Sequence, residues 1–235
     1  MITLTPRLRC IAELVPACRC AADIGTDHAY VPLYLLAQKK IRRAVASDIH
    51  EGPARRAEEN CRKEGAEGLV SVRVGEGLST LRPGEAEGAV IAGMGGLMIR
   101  TIIQEGAAIA AGLKWFVLQP QNHADVLRKW LIENEYAIEA EVLAAEEGKI
   151  YEILLVRHGK MDMPSAAELT AGLWKYRKND PLFPEFLQRL IRKCGYTLNG
   201  IAADTTNAVN AEKRKQAEKR KKELEEIVWR LKQET

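Results

Sequence analysis

The sequence is poor in the features that mark secreted, disulfide-bonded and membrane-spanning proteins. Its 235 residues include five cysteines, an odd number without C-x-x-C spacing, which disfavours a disulfide framework and a zinc site. No apolar run approaches the roughly 20 residues that cross a bilayer, and no basic segment leads into an apolar secretory signal. We therefore expect a soluble, cytoplasmic protein that binds neither a metal nor a membrane.

Aromatic residues are also scarce, at 6%, although a hydrophobic content of 46% is ample for a packed core. The net charge of +3 is unevenly distributed along the chain. Residues 1–160 carry 20 Lys and Arg against 21 Asp and Glu, whereas residues 161–235 carry 15 against 11. A basic excess in the carboxyl-terminal third indicates a polyanionic partner.

Strand-like and helical segments alternate along the first 160 residues. The seven predicted strands lie near residues 20–24, 43–49, 69–74, 88–92, 115–118, 137–145 and 150–157. Helical patterns lie near residues 6–15, 29–39, 52–64 and 123–134, with another beginning near Leu97. The last two strands flank a polar turn at 146–149, as in an antiparallel hairpin. This order predicts an α/β protein with a mostly parallel sheet.

The β-rich pattern stops after residue 160. A short helix is predicted at 168–178, followed by two longer helical patterns. In the second of these, Ala217, Leu224 and Leu231 are spaced seven apart, and a turn at 203–207 separates the two patterns. Two amphipathic helices with a short connection must fold back to bury their apolar faces. We therefore expect an antiparallel helical hairpin or coiled coil as a second domain.

The turn after the first strand carries the strongest functional signal. An apolar segment ends at Gly25 and a helical pattern starts at Ala29, which predicts a strand, a tight turn and a helix. Doubly wound sheets bind nucleotides at such turns. The turn also concentrates polar groups, namely Asp23, Asp27, His28 and Tyr30. In the alternative interpretation, Asp27 merely caps the helix.

A second acid, Asp48, ends the next strand, where it can accept hydrogen bonds from ribose hydroxyls or simply cap the following helix. The first turn lacks G-x-G-x-x-G, so a dinucleotide is disfavoured. An adenosine ligand without a diphosphate, such as S-adenosylmethionine, fits Gly25, Asp48 and a third turn at residues 75–77. The chemistry of the turns therefore favours this cofactor.

Taken together, five segments resemble the bacterial tRNA (adenine(22)-N(1))-methyltransferases. They are residues 22–32 (ADIGTDHAYVP), 46–49 (ASDI), 75–78 (GEGL), 91–96 (IAGMGG) and 118–121 (LQPQ). The resemblance spans the chain and implies a Rossmann-like S-adenosylmethionine-binding methyltransferase domain at 1–160. It also implies a helical coiled-coil, tRNA-binding domain at 161–235. Glu76 departs from the family pattern, where Asp is common.

The resemblance and the chemistry together assign candidate site residues. Cofactor binding is expected of Asp23, Gly25, Thr26, Asp48, Ile49, Glu76, Gly77, Gly93, Met94 and Gly95. The candidate catalytic residues are Asp27, Tyr30 and His28, because an acid beside adenine N6 would align the base and stabilise the methylated cation. Contact with tRNA is expected of Arg7, Gln119, Asn122, Arg189, Arg192, Lys193, Lys213, Arg214 and Lys215.

Two other classes of function remain open on the sequence. The first is an S-adenosylmethionine-dependent methyltransferase that acts on another RNA position, a small molecule or a protein. The second is a non-catalytic interaction module built on the helical hairpin. Enzymes that methylate exocyclic amines commonly carry Asn/Asp-Pro-Pro-Tyr/Phe after strand four, where this chain has residues 92–96 (AGMGG). The sequence therefore favours methylation of a ring nitrogen, and we expect a monomer.

Overall fold

The structure, a computed structural model, describes residues 2–200 and 208–234. The chain divides into two units, Met1–Asp162 and Met163–Thr235. The turn expected at 203–207 lies outside the described residues. None of the described helices combines the length and apolar character needed to traverse a membrane.

The first unit alternates strands and helices in the expected order. Its elements are α1 (Pro6–Leu14), β1 (Cys20–Ile24), α2 (Tyr30–Ala37), β2 (Arg43–Asp48), α3 (Glu51–Lys63), β3 (Val70–Val74), a 3-10 turn (Gly77–Thr80), β4 (Gly88–Met94), α4 (Gly96–Glu105), α5 (Ala107–Ala110), β5 (Trp115–Pro120), α6 (Ala124–Glu133), β6 (Tyr136–Glu146) and β7 (Lys149–His158). The helix α1 begins as predicted, with Thr5 accepting a hydrogen bond from the Leu8 N–H and Pro6 at the first position.

The seven strands form one sheet in the order β3-β2-β1-β4-β5-β7-β6. Strands β1 to β5 pair in parallel, whereas β7 runs antiparallel to both of its neighbours. This arrangement confirms the expected Rossmann-like, mostly parallel sheet. The strand order reverses between β1 and β4, so the crevice at their carboxyl ends is the place where such sheets bind ligands.

The core lies along the central strands, which are buried on both faces. All five residues of β1 and all six of β5 are buried, as expected for parallel strands covered by helices. Gly88 is paired with Trp115, and a Cβ at Gly88 would lie 2.1 Å from the indole ring. The glycine therefore makes room for the largest side chain in the sheet.

The structure corrects some expected boundaries. In the β6–β7 hairpin the strands extend further than predicted, and a two-residue turn joins them. Glu147 and Gly148 both have positive φ, 49° and 72°, as a type I′ turn requires. The short helix α5 was missed from the sequence.

The second unit is helical. Its elements are α7 (Ala166–Ala171), α8 (Trp174–Arg177), α9 (Phe183–Gly200) and α10 (Ala208–Glu234), and α9 packs against α10. The single helix predicted at 168–178 is wrong, because Gly172 interrupts it with a φ of +94°. Ser165 and Glu168 form a capping box at the start of α7. Leu187, Cys194 and Leu224 are among the apolar residues buried in this unit.

A buried ionic cluster ties α6 to the antiparallel edge of the sheet. The Arg128 side chain is fully buried and its Nε lies 2.6 Å from a carboxylate oxygen of Glu141 on β6. It also bonds to Glu152 on β7. Burial alone would lower the pKa of Arg128, but the two carboxylates raise it on balance. The guanidinium therefore stays charged inside the protein.

We predict that Arg128→Met lowers the free energy of unfolding by about 3–5 kcal/mol, because it leaves the Glu141 carboxylate buried without its cation. Urea-induced unfolding of the full-length chain measures this change. The control is Lys129→Met, which removes an exposed cation from the same helix and should cost less than about 1 kcal/mol. Equal losses in the two variants would contradict the prediction.

Candidate active site

The turn between β1 and α2 is held by backbone hydrogen bonds to the neighbouring strand. The N–H groups of Gly25 and Thr26 both donate to the Ser47 carbonyl oxygen, each at 2.8 Å. Gly25 has a φ of +79°, and a Cβ there would lie 2.1 Å from Cε of Met94 at the end of β4. The turn therefore needs glycine for its backbone conformation and for its contact with β4.

The cap of α2 leaves Asp27 available for another role. The N-cap residue is Ala29, in the left-handed conformation, and its N–H donates to Oγ1 of Thr26 at 3.1 Å. Asp27 makes no cap, and its side chain is 61% exposed. The alternative interpretation of Asp27 as a helix cap is therefore wrong, because the cap of α2 has no side-chain hydrogen bond.

Asp27 instead belongs to a polar cluster. One carboxylate oxygen bonds to Arg56 of α3, and the other lies 3.3 Å from Nε2 of His28. The His28 ring stacks on Tyr30 at a centroid distance of 4.9 Å. Asn60, one turn beyond Arg56, donates to the His28 carbonyl oxygen at 3.0 Å. The three candidate catalytic residues are thus brought together, and α3 holds them.

Arg56 and Asn60 were missed from the sequence, where the segment 52–64 was predicted only as a helix. Their spacing of four residues places both side chains on the same face of α3. The spacing was visible in the sequence, but nothing local indicated that this face lies against the turn at 27–30.

Asp23 is the buried acid beneath the turn, with 9% of its surface exposed. Burial, assisted by the charge of Asp48, raises the pKa of Asp23 to about 6, although a hydrogen bond with Thr26 opposes the shift. Because the Asp23 side chain is buried, it supports the turn from the protein interior.

Asp48 and the third turn complete one side of the crevice. Oδ1 of Asp48 accepts a hydrogen bond from the His50 N–H at 2.9 Å, and its backbone carbonyl accepts one from Gly75. Ile49 and Glu76 are exposed next to these groups, and Gly77 has a φ of +49°. The turns after β2 and β3 thus lie beside each other.

The end of β4 forms the other side. The register with β5 shifts between Ala92 and Met94, and the intervening Gly93 has a φ of +77° with open space where a Cβ would be. A Cβ on Gly95 would lie 3.0 Å from Oδ1 of Asn122. Asn122 is exposed, as expected for a residue that lines the opening.

Two residues that were expected to contact tRNA, Gln119 and Arg7, have hydrogen-bond partners within the protein. Gln119 is fully buried, and its Oε1 accepts hydrogen bonds from Arg7 at 3.0 Å and from the Gly93 N–H at 3.2 Å. Arg7 also forms an ion pair with Glu146 at 3.3 Å. The expectation that Gln119 contacts tRNA is corrected, because its side chain does not reach the surface. It positions Gly93 instead.

The expected tRNA-binding residues of the second unit lie on α9 and α10. Arg189 and Arg214 form ion pairs with glutamates one turn away. The other expected residues are exposed, and the described residues include no ion pair with them: Arg192, Lys193, Lys213 and Lys215. This unit therefore presents uncompensated positive charge. In the described parts of the chain, no three His, Cys, Asp or Glu side chains are grouped as a metal site would require.

Comparison with known proteins identifies similar chains. Residues 4–154 match the family model described as a methyltransferase domain. The chain is 35% identical to the tRNA (adenine(22)-N(1))-methyltransferase of Bacillus subtilis (strain 168), over 97% of this chain and 98% of the relative.

Solved structures agree with the sequence comparison. The crystal structure of the B. subtilis M1A22 tRNA methyltransferase TrmK has a TM-score of 0.89 and 32% identity, covering 97% of this chain and all of that one. Streptococcus pneumoniae Sp1610 in complex with S-adenosyl-L-methionine has a TM-score of 0.85 and 31% identity, covering 97% and 100%.

The raised pKa of Asp23 predicts a pH-dependent cost of folding. Between pH 3.8 and about 6, Asp23 is protonated in the folded protein but ionised in the unfolded chain. The contribution of Asp23 to stability therefore falls as the pH rises through this range. We expect Asp23→Asn to remove a cost of about 3 kcal/mol at pH 7 and little at pH 4.

Urea-induced unfolding at both pH values measures the difference. Asp162→Asn, at an exposed position of the same unit, is the control and should show no such pH dependence. A stability change in Asp23→Asn that is the same at pH 4 and pH 7 would refute the assignment.

Proposed function

Because the chain belongs to the tRNA (adenine(22)-N(1))-methyltransferase family, we propose that it transfers a methyl group from S-adenosylmethionine to N1 of adenosine 22 in tRNA. The observation that carries this proposal is the convergence of Asp27, His28 and Tyr30 beside the crevice between β1 and β4. We also propose that the protein is cytoplasmic and acts as a monomer.

The residues around the crevice suit S-adenosylmethionine. Asp48 presents a carboxylate at the end of β2, the place that suits ribose hydroxyls. Gly25, Gly77 and Gly93 keep the surrounding turns free of side chains. When bound, the cofactor supplies an electrophilic methyl carbon on a sulfonium. We propose that Asp23 and Thr26 support the first turn.

The remaining members of the proposed cofactor site line the same turns. They are Ile49, Glu76, Met94 and Gly95. Glu76 is exposed at the start of the 3-10 turn, where its carboxylate is free to meet the exocyclic amine of the cofactor's adenine. Met94, at the end of β4, lies against Gly25 of the β1 turn on the other side of the crevice.

The chemistry requires alignment more than proton transfer. Adenine N1 carries a lone pair, so the N1–C bond forms as the S–C bond breaks, and no proton is removed beforehand. The methylated base is a cation, and a carboxylate that accepts a hydrogen bond from its N6 amine stabilises that charge. Asp27 has this role in the proposal, and Tyr30, 39% exposed and stacked on His28, brackets the base.

The second unit is proposed to bind the tRNA backbone. A base within folded RNA must be extruded at a cost of a few kcal/mol, and phosphate contacts with Arg and Lys supply much of the binding free energy. The exposed cations Arg192, Lys193, Lys213 and Lys215 suit this role, because the described residues show no ion pair with them. Arg189 and Arg214 of this unit, and Asn122 of the first unit, are proposed to make further contacts with tRNA.

The direct test is transfer of labelled methyl from S-adenosylmethionine to unmodified tRNA, followed by mass-spectrometric mapping of the methylated nucleoside. We expect 1-methyladenosine at position 22 and no transfer when adenosine 22 is replaced by guanosine. Label that persists after this replacement would reject the site assignment. Transfer to a small molecule instead, with no effect of salt on its binding, would favour the alternative methyltransferase.

We predict that Asp27→Asn lowers turnover at least about 100-fold, equivalent to about 2.7 kcal/mol of transition-state stabilisation. The reason is that the neutral amide does not stabilise the cationic product. Single-turnover methylation of tRNA measures the rate, and calorimetry should show unchanged affinity for S-adenosylmethionine.

The matched control is Glu59→Gln, which neutralises an exposed acid on α3 that has no hydrogen bond or ion pair with the turn in the described structure. Its turnover should equal that of the wild type. Undiminished turnover in Asp27→Asn would remove the proposed role of Asp27.

A further inference from the structure

Arg56 has a position that the cofactor does not explain. It lies on the face of α3 that holds the turn at 27–30, and it bonds to Asp27, the proposed catalytic acid. Its side chain is 46% exposed and that of Asp27 is 61% exposed. The ion pair therefore sits at the opening of the site, where substrate must enter, rather than in the core.

The ion pair masks the charge that the proposed reaction uses. The Asp27 carboxylate and the Arg56 guanidinium together carry no net charge, and the other carboxylate oxygen already faces His28 at 3.3 Å. A cationic methylated adenine gains most from Asp27 when no guanidinium shares the carboxylate. Full use of Asp27 therefore requires Arg56 to move to another anion.

The substrate itself brings that anion. An extruded nucleotide carries its backbone phosphates into the opening with its base. The planar guanidinium binds phosphate through two parallel hydrogen bonds, as it binds carboxylate. Because Asp27 and Arg56 are both exposed, their mutual attraction is weak enough to be replaced.

We propose that Arg56 is a phosphate-binding residue that exchanges the Asp27 carboxylate for an RNA backbone phosphate when substrate binds. The inference rests on the proposed function, since it takes tRNA as the substrate and Asp27 as the acid. The exchange couples RNA binding to the release of the catalytic carboxylate. It also means that Asp27 competes with the incoming phosphate for the Arg56 guanidinium.

His28 and Asn60 keep the turn in place during the exchange. The His28 ring stays stacked on Tyr30, and the Asn60 amide donates to the His28 carbonyl oxygen at 3.0 Å. Neither contact involves Arg56. The turn therefore retains its anchor on α3 after the guanidinium leaves Asp27.

The test measures tRNA binding by fluorescence anisotropy between about 50 and 200 mM salt for the full-length protein. We expect Arg56→Gln to weaken binding about tenfold and to reduce the magnitude of the salt slope by about one. Arg56→Lys, which keeps the charge, should restore most of the slope. Asp27→Asn should bind tRNA roughly two- to fivefold more tightly than the wild type, although it is catalytically impaired.

The matched control is Arg62→Gln, because Arg62 lies on the same helix in an exposed ion pair with Glu67 but away from the turn. Its salt slope should equal that of the wild type. An unchanged slope in Arg56→Gln, or binding by Asp27→Asn no tighter than that of the wild type, would overturn the inference and leave Arg56 as a structural tether. If Arg56→Gln fails to fold, the Asp27→Asn measurement still decides.

Failure of this inference is distinguishable from failure of the proposed function. A wild-type protein that methylates adenosine 22 while its variants show unchanged slopes contradicts only the exchange. A wild-type protein that transfers no methyl group to tRNA contradicts the proposed function.

Discussion

A single carbonyl group organises the candidate active site. The Ser47 oxygen accepts hydrogen bonds from two consecutive N–H groups in the turn after β1, both at 2.8 Å. The Ser47 side chain also bonds to Thr80 at the end of the 3-10 turn, 3.1 Å away. The end of β2 thus ties together the loops that follow β1 and β3. Because the two bonds to the Ser47 carbonyl come from backbone N–H groups, the side chains of the turn after β1 are free to carry function.

The protein buries charge in two different ways. Arg128 is enclosed by two carboxylates, which offset the cost of removing its charge from water. Burial and the nearby acid Asp48 disfavour the ionised form of Asp23, although a hydrogen bond with Thr26 partly offsets them. Arg128, whose charge is compensated, lies at the antiparallel edge of the sheet. Asp23, whose ionisation is costly, lies beneath the proposed cofactor site. Local departures from optimal packing are expected at functional sites for this reason.

Exposed ion pairs serve a different purpose from buried ones. The pair between Asp27 and Arg56 contributes little to stability because water competes with both partners. The same weakness makes it suitable for exchange with a phosphate. On α9 and α10, cations such as Lys193 and Lys213 are exposed as well. A substrate with many phosphates gains from such groups without any cost to the core, since they remain hydrated until it binds.

The sequence alone determined the elements whose signals are local. Thr5 and Pro6 mark the start of α1, and Gly25 marks the turn after β1, because capping and positive φ depend on residue type. Tertiary structure decided the partners. The pairing of Asp27 with Arg56, 29 residues away, and the burial of Gln119 beneath Gly93 follow from strand order and helix packing. Gly172 likewise divided a predicted helix by adopting a φ that its neighbours in sequence did not indicate. Periodicity specifies which face of an element is apolar, but only the assembled sheet specifies what that face meets.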